Sequence, residues 1–183
     1  MEFTLTLNEL DLAADFALDL ANTYDPMRDP VDILARPESA ETFLRPYLHA
    51  GESAAPVAQN LTGFRDNLRA ALKSMAAGRR PAPRIAADLD SALGVTWRVR
   101  VGRTGKLAVL PREGVAAASR IRALASVGTL ALLQDASERL RVCRSAPCEE
   151  VFRDRTRSGR QRFCSKRCAT RVNVAHYRSR LKT

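Results

Sequence analysis

The sequence predicts a mainly α-helical (α+β) chain: a helical N-terminal domain with one β-hairpin, then a small cysteine-bearing C-terminal module ending in a basic helix. Three observations predict it. Apolar residues recur at helical spacing over most of residues 1–138. Strict alternation, the signature of a strand, occurs only near 95–110. All four cysteines and the whole of the excess positive charge fall within 139–183. The chain of 183 residues carries 30 Lys/Arg against 20 Asp/Glu, a net charge of +10. Residues 1–138 hold 16 basic against 17 acidic residues, and residues 139–183 hold 14 against 3. A neutral body with a cationic module follows, and an apolar content of 45% excludes wholesale disorder.

The first helix spans about 8–23, with Leu12, Phe16 and Leu20 every fourth residue and Asp11, Asp15 and Asp19 in a parallel row. That row reads as a solvated face rather than a metal site. Pro37 suits a first helical position, followed by Phe43, Leu44, Tyr47 and Leu48, with Pro46 working against continuity. The strongest amphipathic pattern runs from Pro56 to Gly78, on Val57, Leu61, Phe64, Leu68, Leu72 and Met75. A short helix bearing Ile85, Leu89 and Leu93 ends at Gly94, read as its C-terminal glycine. Val95, Trp97, Val99 and Val101, then Leu107 and Val109, form the hairpin, with Trp97 on its core face. Residues 114–136 are helical, and Gly128 is expected to kink or divide that helix.

Cys143 and Cys148 have four residues between them, Cys164 and Cys168 have three, and fifteen residues separate the pairs. Two close pairs joined by a loop suit one tetrahedral ion, and four thiolates close a structural Zn2+ site. Nearby Arg144, Arg162, Lys166 and Arg167 are expected to lower the thiol pKa values. An iron–sulfur cluster uses the same ligands, and two disulfides are the bland alternative. His176 reads as an ordinary polar helix residue.

Beyond Cys164 no Gly or Pro interrupts a helix for which Ser165 is a candidate N-cap. Arg167, Arg171, Arg178 and Lys182 fall on one stripe of it, next to Lys166. Arg153, Arg155, Arg157, Arg160 and Arg162 lie on the loop between the cysteine pairs. Arginine-rich charge of this kind suits phosphate and guanine edges, so nucleic acid is the expected partner. The residues expected to carry that contact are Arg157, Arg160, Arg162, Lys166, Arg167, Arg171, Arg178 and Lys182. Residues 1–138 hold no cysteine, a lone His49 and no Gly-rich phosphate loop, so no catalytic set is expected.

Cys143 to Cys148, Phe152, Asp154, Arg157-Ser158-Gly159 and Arg162-Phe163-Cys164 resemble the CGNR zinc finger. Ala17-Leu18-Asp19-Leu20-Ala21-Asn22-Thr23 resembles the signature that opens the ABATE domain, which commonly precedes that finger. The naming motif stands here as Cys168-Ala169-Thr170-Arg171, keeping only Cys and Arg, and Phe163 occupies a position usually held by Trp. The resemblance implies a stress-related transcriptional regulator whose N-terminal domain senses a small-molecule effector or forms a homodimer, and whose zinc module binds DNA. Asp19, Asn22 and Thr23 would then line a polar pocket. An equally open reading makes them a cap or buried hydrogen-bond network. The alternative function is a protein- or RNA-interaction protein whose zinc module is structural. A cytoplasmic, non-membrane setting is expected from the cysteine usage, the absence of a basic leader and the lack of a long apolar run.

Overall fold

A computed structural model describes residues 7–94, 97–101, 107–111 and 114–181. It is mainly helical. The order is α1 (Leu7–Ala21), α2 (Pro37–Leu44), α3 (Ala54–Ala76), α4 (Pro83–Leu93), β1 (Trp97–Val101), β2 (Leu107–Pro111), α5 (Ala117–Ala136), β3 (Leu140–Val142), β4 (Val151–Arg153) and α6 (Lys166–Arg180). The sheet β1–β2 is an antiparallel hairpin pairing Trp97 with Pro111 and Val101 with Leu107. Val95 and the side chain of Trp97 lie outside the described residues, as does Lys182. A second antiparallel ladder, β3–β4, pairs Leu140 with Arg153 and Val142 with Val151, and periodicity over three residues is too short to announce it.

The body is built around α1, α3 and α5. The α3 stripe is buried as its spacing predicts, at Val57, Leu61, Phe64, Leu68 and Leu72. The α1 stripe differs from expectation. Leu12 is 67% exposed, while Ala13, Ala14, Phe16, Ala17, Leu20 and Ala21 face the core. Small residues there let α1 approach α5 closely. At Gly128 a Cβ would sit 1.9 Å from the Ala13 carbonyl oxygen. Gly128 therefore neither kinks nor divides α5, which runs unbroken, but removes the side chain where two backbones meet. Pro46 does end α2, and the chain passes into a 3-10 turn at Arg45–Tyr47. That turn sets Tyr47 against Phe16, with ring centroids 4.3 Å apart. Gly94 closes α4 as the sequence predicts, with φ −68° rather than a left-handed turn.

Buried cations pin the loops. Arg65, 2% exposed, bridges both carboxylate oxygens of Asp32 at 3.0 Å and donates to the Thr23 hydroxyl at 3.2 Å. It thereby ties α3 to the segment after α1. Such a pair gives register more than net stability, and removing one partner would strand a buried charge.

Arg120 of α5 clasps Glu52 at 3.0 and 2.7 Å. The Arg120 hydrogen bonds hold the Glu52 carboxyl at about 2, well below its usual 4.5. A depressed carboxylate pKa contributes stability that is fully present above about pH 4.5 and is lost as pH falls through about 2. Glu52→Gln is expected to lower stability near neutrality and to flatten its fall across that acid window. Urea unfolding at stepped pH values checks this. A variant with the wild-type acid profile contradicts it.

Candidate metal centre and basic face

The module begins without a break from the body. Leu140 and Val151 are 1% and 0% exposed and belong to the same core as α1 and α3. Val151 is further held by Asn22, whose side-chain amide donates to the Val151 carbonyl at 2.7 Å and accepts from its N–H at 3.0 Å. Asn22 thus acts as one more ladder rung on β4.

The β3–β4 ladder aims both ends of its loop at one point. The Cys143 N–H donates to the Glu150 carbonyl, extending the pairing, and the Cys148 N–H closes a turn on the Ser145 carbonyl. Asp154, 2% exposed, shapes the following loop by accepting from the N–H and hydroxyl of Thr156 and from the Gln161 N–H. The Thr156 hydroxyl is the main reason its carboxyl lies below the usual range. Ser165 caps α6, accepting from the Cys168 N–H at 3.3 Å, so the last cysteine is fixed in the first helical turn.

The four sulfur atoms of Cys143, Cys148, Cys164 and Cys168 lie within 4.8 Å of one another. Cys148 and Cys164 sulfurs are 3.7 Å apart, and those of Cys164 and Cys168 are 3.6 Å apart. Zinc–sulfur bonds of about 2.3 Å at tetrahedral angles require edges of about 3.8 Å. Disulfide-bonded sulfurs would stand only about 2.0 Å apart, so the reduced, four-donor arrangement is the one adopted. Burial pushes the Cys148 thiol up to about 12, and burial together with the Glu150 carboxylate pushes Cys164 up as well. Thiols so crowded ionise together only around a cation. The soft donor set, its closure and its spacing fit a single structural Zn2+.

Among the described residues, none of the four cations expected to tune the thiols hydrogen-bonds to a cysteine sulfur. Arg144, Arg162, Lys166 and Arg167 are exposed, and Arg167 donates to the Met27 carbonyl at 3.0 Å. Arg171 fills that place instead. It turns inward, donating to the Ser145 hydroxyl and carbonyl at 2.7 Å, and its guanidinium lies 3.7 Å from the Cys168 sulfur. Burial opposes the Cys168 thiolate, but the Ser165 hydroxyl and the neighbouring thiols outweigh it and hold this thiol below its usual value. Cys168 and Arg171, three residues apart on one helix face, therefore join ligand to clamp. Ala169 and Thr170 between them take no part.

Arg153 and Arg155 meet the row of aspartates on α1: Arg153 bonds Asp11 at 2.7 Å and Arg155 bonds Asp15. The module's own acids are answered from the body, Glu150 by Arg28 and Glu149 by Lys73 at 2.5 Å. The exposed cations Arg144, Arg157, Arg160, Arg162, Lys166, Arg178 and Arg180 have no ion-pair partner among the described residues. Arg162 lies over the Phe163 ring, 5.8 Å from its centroid.

Between α1 and the module lies a cavity of about 520 Å3, with Asp15, Asp19 and Asn22 on one wall and Glu150, Phe152 and Arg155 on the other. Burial, reinforced by Asp15, pushes the Asp19 carboxyl up. Thr23 is 1% exposed and turned away from that cavity, donating to the Leu20 carbonyl and accepting from Arg65. Of the three residues expected to act together, Asp19 and Asn22 share the cavity and Thr23 belongs to the buried network. No helix among the described residues is long and apolar enough to cross a membrane.

No curated protein matches the chain. Residues 139–181, from the turn before β3 to the end of α6, match the family model of the CGNR zinc finger.

Proposed function

We propose that the protein is a DNA-binding transcriptional regulator, with the zinc module as the docking element and residues 1–138 as an ABATE-like sensing or dimerising part; no catalytic step belongs to this reading. One observation carries it. Every acid of the module is paired or turned inward, while seven of its cations are exposed and unpaired. A solvated surface that served solubility alone would mix the two signs.

The helix supports the same reading. Cys168 and Arg171 mark its inner side, so the opposite side carries Lys166, Thr170, Asn173, Tyr177 and Arg180, all exposed and recurring at helical spacing. These side chains can donate to and accept from base edges, and the flanking arginines suit phosphates. This stripe is not the one foreseen on Arg167, Arg171, Arg178 and Lys182, of which Arg171 turns inward and Lys182 lies outside the described residues.

Fluorescence anisotropy on a random DNA duplex across a salt series tests the proposal. Each phosphate contact contributes about 0.9 to the log–log salt slope. Arg157→Ala, Arg160→Ala and Arg162→Ala combined are expected to lower that slope by about 2–3. Absence of binding at low salt, or an unchanged slope, defeats the proposal. Preference for a single-stranded RNA of equal charge would favour the RNA-interaction alternative.

A further inference from the structure

A second concavity lies on the body, between α4, the connection that precedes it and the C-terminal half of α5. Its volume is about 510 Å3, within the range of small-molecule sites. Met75, Leu89, Leu93, Leu130 and Leu133 supply apolar walls. Leu130 and Leu133 are 47% and 40% exposed, so the C-terminal half of α5 presents apolar surface here. The α4 stripe leaves the gap: Ile85, Leu89 and Leu93 are only half-buried.

One polar feature narrows the occupant. Arg79, Arg80 and Asp90 also line the trough, two guanidinium groups against one carboxylate. Both arginines are exposed, and neither has an ion-pair partner among the described residues. The charged part of the lining is therefore net positive beside an apolar trough.

We infer that this trough binds a small amphipathic carboxylate, with its apolar body on Leu89, Leu130 and Leu133 and its carboxylate on Arg79 and Arg80. The inference rests on the sensing part of the function proposed above and is independent of the DNA-binding part.

Isothermal titration of the full, zinc-loaded chain tests it, with 2-naphthoate as probe and 2-naphthamide as the uncharged isostere. Saturable binding of the naphthoate below about 1 mM is expected, with the amide weaker by about tenfold. Arg79→Glu with Arg80→Glu is expected to abolish the preference for the charged probe while leaving the thermal midpoint unchanged, since both side chains are exposed. No saturable binding, equal affinity for acid and amide, or wild-type affinity in the double variant overturns the site. A concentration-dependent dimer broken by Leu130→Asp also overturns it, because the trough would then belong to a second copy of the chain. Duplex binding recorded on the same preparations separates the two claims. Lost naphthoate binding with intact DNA binding removes the ligand site alone, and the reverse removes the DNA-binding reading alone.

Discussion

Gly128→Ala is expected to cost about 3 kcal/mol or more. The added methyl would overlap the Ala13 carbonyl at 1.9 Å and its carbon at 2.4 Å, and both are backbone atoms that no rotamer change can move. Relief requires α1 to slide off α5 and take Ala14, Ala17 and Ala21 with it. Gly63→Ala is the matched control. It also lies inside a helix, but nothing stands within 4 Å of its Cβ position. There the helix propensity of alanine is expected to raise stability by up to about 1 kcal/mol. Denaturant unfolding of both variants gives the comparison. Equal and small effects would show that the α1–α5 contact is looser than described.

Cys168→Ser is expected to reduce zinc from one ion per chain to near none and to melt α6. The change removes a ligand from the tetrahedron and also the thiolate beside Arg171. In isolated zinc-finger peptides the metal supplies an apparent ~10–16 kcal/mol, so the parts of the module held only by the ion do not fold without it. The loss should stop at the ladder. Leu140 and Val151 are buried in the body's core, and Asn22 grips β4, so β3–β4 and α1–α5 keep their structure. Metal analysis with far-UV circular dichroism measures both parts: a loss of helix confined to about the fifteen residues of α6. Retained zinc contradicts the ligand assignment, and collapse of the whole helical signal contradicts the independence of the body.

The α3 helix and the cysteine cluster were legible because each rests on a repeated residue type at short range. Five leucine, valine or phenylalanine residues at helical spacing leave α3 only one face to bury, and two close cysteine pairs leave their sulfurs few places to go. The α1 face was not legible in the same way. Alanine carries too little hydrophobicity to outvote Leu12, and only the presence of Gly128 on another helix makes an alanine face valuable. Arg171 looked like its neighbours on a helical wheel drawn without a fixed rotation. Its role depends on Ser145, twenty-six residues away, and on which side of α6 the ion occupies. The aspartates of α1 read as solvated because their partners, Arg153 and Arg155, lie some 140 residues further on. The trough beside α4 is a property of how far two helices fail to meet, which no single stripe encodes.

The ion pairs between α1 and the module also act as an accounting of which arginines the solution sees. Asp11 and Asp15 serve as resident counterions for Arg153 and Arg155, so a polyanion approaching the module meets two of its guanidinia already neutralised. The excised module would regain them and become a stickier, less discriminating cation than the same residues in the intact chain. The body thus sets the module's working charge, and any change that lifts α1 from the loop would raise affinity for every anion at once while narrowing none of its preferences.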